Sequence, residues 1–430
     1  MKQNFLVLLL LFTSLLPTRA ARTYAGGDIS LLPLYEQIQS KYYDYDGNPI
    51  DDVVKFYAQE GMNLMRVRLM VNPSAYPGAY SYGSNAKWLG YDPNCCLEYI
   101  LPICKRIKEA GMALLLDFHY TDYWADPYHQ WTPEDWKNIP DDQLPAKLYE
   151  YTKESLIWLR ERGVVPDMIQ TGNEISYGML WGPAGTAEGD LKKATGENDR
   201  SCWERLTNML KEAGRACREI CPQAQIVIHT EQVANHWNLW NFYRWMGEFG
   251  VDYDIIGLSY YPYWHVDVDK AEEEIADLEK CFPDKKIWIV EFNWPYDWEA
   301  DGENVLYEKY PHTPDGQIKI TQAVIDMLNR HDNANGLIWW WPEFNKKDYQ
   351  KYDGETWDGW YSSPLFNSND GRALPATRTL GAYAESETVY FTNVPISWSS
   401  VGVYAWTDGD NVNEGGWPGN AAELTDMTYK

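Results

Sequence analysis

Apolar residues fall along this chain in short unbroken runs, separated by longer stretches in which they recur every three or four positions. The runs at 24–30, 63–69, 112–118, 167–172, 225–230, 254–259, 286–291 and 336–340 read as strands, the first being the least distinct. Asn63-Leu64-Met65-Arg66-Val67-Arg68-Leu69 and Met112-Ala113-Leu114-Leu115-Leu116-Asp117-Phe118 are representative. The intervening stretches have helical ends. Asp51 and Asp52 stand where a cap is needed, Val53, Phe56 and Tyr57 share one face, and Gly61 stops the helix. Leu97, Ile100, Leu101, Cys104 and Ile107 repeat at helical spacing up to Gly111, with Pro102 expected to disturb the first turn.

Strands that are apolar along their whole length need cover on both faces, so strands alternating with helices predict a parallel sheet. Eight such units point to the α/β class and a closed (β/α)₈ TIM barrel. An open doubly wound sheet would want a glycine-rich phosphate loop after an early strand, and the chain has none. After about Glu385 the pattern changes to short alternating runs, Thr388-Val389-Tyr390-Phe391 and Val401-Gly402-Val403-Tyr404-Ala405-Trp406, with Trp398 and Trp417 beside them. The expected organisation is therefore a secretory leader over 1–20, a barrel over 21–385 and a partial β module over 386–430. The leader is read from Met1-Lys2, the apolar run Phe5 to Leu16 and the small residues before Ala20; it predicts an exported protein, periplasmic or extracellular.

In a barrel, chemistry gathers at the C-terminal ends of the strands. Glu174, closing Gln170-Thr171-Gly172-Asn173-Glu174, and Glu291, closing Ile287-Trp288-Ile289-Val290-Glu291, both fall there, as do Arg68, Asp117, His119, His229, Tyr260 and Trp340. Two carboxylates facing one sugar ring suffice for glycoside hydrolysis. The long connections from Tyr177 to about Arg200 and from about Asn345 to Arg372 are expected to lie over the barrel mouth.

Composition narrows the chemistry. The chain has 22 tryptophans and 32 tyrosines, more flat rings than a core requires, and such rings stack on the C–H faces of sugars. A formal charge of -26 repels nucleic acid and acidic polymers and leaves neutral polysaccharide free to approach. Seven cysteines are too few for a disulfide scaffold of this length, and most are expected to be core thiols.

Four segments in order, Gly27-Asp28-Ile29-Ser30, Arg66-Val67-Arg68-Leu69-Met70-Val71-Asn72-Pro73, Asp117-Phe118-His119-Tyr120-Thr121-Asp122-Tyr123-Trp124 and Gln170-Thr171-Gly172-Asn173-Glu174, resemble glycoside hydrolase family 53, the endo-β-1,4-galactanases. Ser259-Tyr260-Tyr261-Pro262-Tyr263-Trp264-His265 and Val290-Glu291 extend the resemblance, which spans roughly residues 24 to 345. It implies Glu174 as general acid/base and Glu291 as nucleophile of a retaining enzyme acting on the galactan side chains of pectin. It further implies Trp340 as the floor under the cleaved unit. Beside it, the residues suggest Arg68 as the cation near Glu291, Tyr260 as a donor to Glu291, Asn173 on the sugar 2-hydroxyl, and His119 and His229 as hydroxyl ligands or orienting groups. Trp124, Trp181 and Trp264 are candidate subsite walls. Met70 and Trp339-Trp340-Trp341-Pro342 depart from the family pattern, the latter from its usual tyrosine-tryptophan-glutamate-proline. The 386–430 tail resembles the first half of a starch-binding-type module. Another β-1,4-glycan such as mannan or cellulose, and a glycan-binding protein without catalysis, remain as alternatives.

No cofactor is required for this hydrolysis, and no metal site is expected. Asp408-Gly409-Asp410-Asn411 could hold a structural calcium but reads as a solvated turn. The expected partner is a neutral galactan, with no nucleic acid and no membrane insertion, met by a monomer.

Overall fold

The computed structural model describes residues 22–73, 95–183, 192, 200–298, 305–345, 347–348 and 362–385, together with short strand pieces between 402 and 429. The leader at 1–20 lies outside the described residues, as do most of the 184–199 loop and residues 349–361. Thr23–Glu385 forms one compact unit. Its eight strands are β1 (Tyr24–Asp28), β2 (Leu64–Leu69), β3 (Ala113–Phe118), β4 (Met168–Thr171), β5 (Gln225–Thr230), β6 (Ile255–Tyr260), β7 (Lys286–Phe292) and β8 (Ala334–Trp340). They pair in parallel, each with its sequence neighbour, and β1 closes on β8. This is the expected TIM barrel.

Helices cover the outside: α1 (Leu32–Gln37), α2 (Val53–Gln59), α3 (Leu97–Glu109), α4 (Leu144–Glu161), α5 (Arg200–Ile220), α6 (His236–Glu248), α7 (Val268–Cys281), α8 (Val305–Lys309), α9 (Pro314–Leu328) and α10 (Ala376–Glu385). Asp52 caps α2 by accepting from the N–H groups of Val54 and Lys55. Pro102 does not disturb the first turn of α3; the helix runs through it. Burial of Ile100, Ile103, Cys104 and Ile107 on one face outweighs the one hydrogen bond a proline removes. Five of the seven cysteines are buried and all seven are free thiols, so most are core thiols as expected, with Cys96 half-buried and Cys281 exposed.

Alternation along each strand sends one set of side chains to the helices and the other into the barrel. Leu64, Leu115, Met168, Val227, Ile255, Trp288, Val290 and Ile338 fill the interior. Trp288 is its plug. A Cβ on Gly336, on the neighbouring strand, would lie 2.4 Å from the Trp288 ring, so only glycine leaves room for the indole. Above this layer the inward positions turn polar: Asp28, Arg66, Arg68, Asp117, Gln170, His229 and Ser259, all fully buried.

One irregularity decides where a carboxylate of β7 points. Trp288 and Val290 face inward, so strict alternation would send Glu291 toward the helices. The β6–β7 register shifts between Leu258 and Ser259, and β7–β8 between Ile289 and Phe292. This bulge turns Glu291 inward opposite Ser259.

In the tail, Trp406–Thr407 pairs antiparallel with Asp410–Asn411, Gly402–Val403 with Asn420–Ala421, and Leu424–Thr425 with Thr428–Tyr429.

Trp288→Ala removes the interior plug and leaves a cavity that rigid strands cannot close. Urea unfolding is expected to show a loss of about 3–5 kcal/mol; an unchanged midpoint would contradict the interior assignment.

Candidate active site

Arg66, fully buried, organises the polar end of the barrel. Its Nη1 donates to Glu291 Oε1 at 2.7 Å, and its Nη2 donates to Asp117 Oδ2 and Asn173 Oδ1, both at 2.6 Å. Asp28 Oδ2 lies 3.7 Å from Nη1. Burial opposes its charge, but the attraction of Asp117, Glu291 and Asp28 outweighs that and raises the guanidinium above its ordinary value. Burial likewise opposes the Asp117 carboxylate, and Arg66 and then His119 bring it down to about 2.

The expected cation near Glu291 was Arg68, and the structure corrects this to Arg66. Arg68 also points inward, but two residues nearer the mouth, where its Nε meets Asp28 Oδ1 at 3.4 Å and its guanidinium lies 3.7 Å from the Trp124 ring and 5.0 Å from that of Trp340. It stacks on the aromatic wall of the site. The expected tyrosine is also displaced by one. Tyr260 is the last outward-facing residue of β6 and donates to Val266 O at 3.0 Å. Tyr261, one step past the strand, donates to Glu291 Oε2 at 2.7 Å. Burial, then the charges of Glu291 and Glu174, raise its phenol well above the usual value, so it stays a donor.

Glu174 sits in a different setting. The chain leaves β4 through Gly172 at φ +103 and puts Glu174 itself at φ +46, a left-handed conformation that a glutamate adopts at a cost of about 1–3 kcal/mol. The surroundings hold it there. Gly172 N–H donates to Phe118 O, Ile175 N–H to His229 O, and Gln130 Nε2 to Asn173 O at 2.7 Å. Its Oε1 accepts from Ser259 Oγ at 2.6 Å. Because Ser259 is also the ladder partner of Glu291, the two glutamates meet across one residue. Burial, then the charge of Glu291, then that of Glu231, push the Glu174 carboxyl well above its ordinary value.

His229 joins these groups. Its Nε2 lies 2.8 Å from Ser259 Oγ, and its Nδ1 faces Gln170 Nε2 at 3.1 Å and the Glu174 N–H at 3.3 Å. Burial and then Arg66 keep the ring neutral, so it can donate through Nε2 to Ser259, whose own proton goes to Glu174. His119 accepts from Ala125 N–H through Nδ1 and places Nε2 3.1 Å from Asp117. Both histidines therefore orient neighbours. Asn173 is tied by Arg66 on its oxygen and donates to Ala125 O at 2.7 Å.

The aromatic residues divide. Trp340 packs edge-on to Trp124 at 5.7 Å and stacks with Trp341 at 5.6 Å, making an aromatic corner beside Arg68. Trp264 is 58% exposed and neighbours Tyr261 and Tyr263 at the other side. Trp181 is fully buried, edge-on to Trp131, and donates to Tyr177 O; it packs the loop and is no subsite wall.

Arg66, Gln170, Ser259, Tyr261 and Glu231 were not singled out by sequence reasoning. Polar residues of inward parity inside apolar strands would have marked the first three; nothing local marks Tyr261. Among the described residues no cluster of three or more histidine, cysteine, aspartate or glutamate side chains could hold a metal ion.

Glu343, just past β8, is fully buried, with Oε1 accepting from Leu31 N–H at 3.2 Å. Burial, then the Asp28 charge, push it from 4.5 up to about 8, and burial pushes Glu231 up to about 7. Below about pH 4.5 both groups are protonated, folded or unfolded. As pH rises further the unfolded chain releases these protons first, so stability falls until the folded values are passed. Tm is expected to decline between about pH 5 and 8, and Glu343→Gln to flatten the decline; equal slopes by calorimetry would remove Glu343 as a cause.

Comparison with known proteins agrees with this geometry. The sequence profile described as Glycosyl hydrolase family 53 matches residues 24–380. An arabinogalactan endo-beta-1,4-galactanase of Cellvibrio japonicus is 30% identical over 367 residues, covering 82% of this chain and 89% of the relative. An endo-beta-1,4-galactanase of Bacillus subtilis is 28% identical, covering 84% and 86%. The solved family 53 catalytic domain of Ignisphaera aggregans superposes with a TM-score of 0.69 at 27% identity, covering 85% of this chain and 98% of that one. With its barrel, its paired glutamates and a match running from the first strand into the last helix, the chain belongs to glycosyl hydrolase family 53.

Proposed function

We propose that this glycosidase is an endo-acting β-1,4-galactanase that cleaves galactan side chains of pectin with net retention, Glu291 serving as nucleophile and Glu174 as acid/base. The observation that carries the proposal is the opposed setting of two carboxyls in one cavity. Glu291 receives one donor on each oxygen, Arg66 on one and Tyr261 on the other. That fixes its rotamer for attack on the anomeric carbon. Glu174 is desolvated and faces the Glu291 charge, so it holds the proton the leaving oxygen needs.

The same electrostatics suit the second half of the reaction. When Glu291 becomes a glycosyl ester its charge disappears, and with it one of the influences raising Glu174. Glu174, whose proton has gone to the leaving oxygen, is then more easily kept ionised and can serve as base by taking a proton from water. The second N–H of Asn173 Nδ2 is assigned to the sugar 2-hydroxyl, the first being held by Ala125 O. Trp340 forms the floor, with Trp124 and Trp264 as walls.

The polymer is argued from the named relatives, both galactanases, and from a charge of -26 that favours a neutral chain. Such a polymer is met outside the cytoplasm, in keeping with the leader read at 1–20. The 386–430 tail resembles part of a starch-binding-type module in its sequence pattern alone.

Product analysis on linear β-1,4-galactan, β-mannan and cellulose tests the polymer. Internal cleavage of galactan with the β-anomer formed first, seen by NMR, is expected; activity confined to mannan or cellulose, or first release of the α-anomer, would reject the reading. Glu291→Gln is expected to lower kcat by several powers of ten, whereas a protein that only binds glycan would keep its affinity and have no turnover to lose.

Tyr261→Phe removes one charge-directed hydrogen bond from Glu291 and is expected to lower kcat about 10- to 100-fold. Tyr260→Phe should leave kcat within about twofold. The opposite ranking would restore Tyr260 to the site.

A further inference from the structure

The first turn of α6 spends a tryptophan on solvent. His236-Trp237-Asn238-Leu239-Trp240 buries Leu239 in the core, yet leaves Trp237 61% exposed and Trp240 half-buried. The two indoles meet edge to face, with centroids 5.6 Å apart and planes at 73°. Together with the later turns of α7 they bound a groove of about 260 Å³. The outward indole face is free to stack on the C–H face of a sugar ring.

The groove is not purely apolar. Glu274, 4% exposed, accepts from His236 Nδ1 at 2.7 Å. Asp277 Oδ2 lies 3.8 Å from the same nitrogen with its side chain 56% exposed, and Lys280 stands at the rim. An indole face beside carboxylate acceptors and an ammonium donor is a recognition set for a ring with one C–H face and several hydroxyls. The two carboxylates, on a chain of charge -26, disfavour an anionic ligand. Asn238, in the same turn, donates to Gln232 Oε1 at 3.1 Å, and Gln232 in turn donates to Tyr177 OH and to Glu231.

We propose that this α6–α7 groove is a second, non-catalytic binding site for the neutral galactan chain, with Trp237 as its stacking platform. The proposal rests on the galactanase reading for the identity of its ligand. A site of this kind holds the polymer after each cut and raises its local concentration at the cleft, without touching the reacting atoms.

The test compares native enzyme, Trp237→Ala and Asp277→Ala, each also carrying Glu291→Gln for the binding arm so that polymer is not cut. Migration through gels containing β-1,4-galactan or polygalacturonate gives the affinity. Hydrolysis of galactotetraose by the same three proteins without Glu291→Gln gives the cleft's competence. A two- to tenfold weaker retention of Trp237→Ala on galactan is expected, about the worth of one aromatic contact. A smaller loss is expected for Asp277→Ala, with tetraose kcat/KM unchanged in both. Retention on galactan unaltered in both variants, while the native enzyme still cleaves tetraose, would overturn the groove and leave the galactanase reading standing. Equal retention on polygalacturonate would overturn the neutral-chain assignment. Failure of the native enzyme to cleave galactotetraose would overturn the galactanase reading, and this ligand with it. A native dimer that Trp237→Ala converts to monomer would make the groove a self-association surface instead.

Discussion

A guanidinium buried in a barrel has to be neutralised there, and Arg66 is neutralised by carboxylates from three different strands and bonded by an amide just past a fourth. Asp28 comes from β1, Asp117 from β3, Asn173 from just past β4 and Glu291 from β7. Removing a charge from water costs several kcal/mol unless such partners are in place. The interaction therefore does two things at once. It stabilises the polar end of an otherwise apolar interior, and it locks the Glu291 carboxylate in one orientation before any substrate arrives.

Glu174 shares the cavity but not the cation. Its contacts are neutral, Ser259 and through it His229, and its burial is not offset by a positive partner. Two chemically identical side chains thereby acquire opposite tendencies from their surroundings alone, which is the requirement for acid and nucleophile roles in one site. The left-handed turn at Glu174 belongs to the same design. It is held by backbone bonds from β3 and β5 rather than by the local sequence.

The departure at Trp339-Trp340-Trp341-Pro342 has a structural consequence. Trp341, at φ +58, stacks between Trp340 and Phe344, at 5.6 and 5.2 Å. The carboxyl two residues on, Glu343, is fully buried, and burial and then the Asp28 charge push it up to about 8. Kept neutral, Glu343 spares the interior another uncompensated charge beside Asp28.

Local pattern was enough for the barrel and for the position of the two glutamates along it. Apolar runs of strand length between helical repeats admit few other arrangements, and both carboxylates fall at the outlets of such runs; their roles came from the resemblance, and the direction of Glu291 from the closed sheet. Where tertiary structure decided the outcome, the differences are of one or two residues. Arg66 and Arg68 share the inward parity of β2, and only the depth of Glu291 in the closed barrel selects Arg66. Tyr260 follows the alternation of β6 to the outside, while Tyr261 escapes it because the strand has ended. Glu291 faces the cleft by virtue of a bulge that no residue in β7 announces, and Trp181 is buried by Trp131 from another loop. Alternation and periodicity are properties of a single segment and can be read from it; which of two neighbouring side chains meets a distant partner depends on how eight strands are staggered around a closed sheet, and that is set by their packing together.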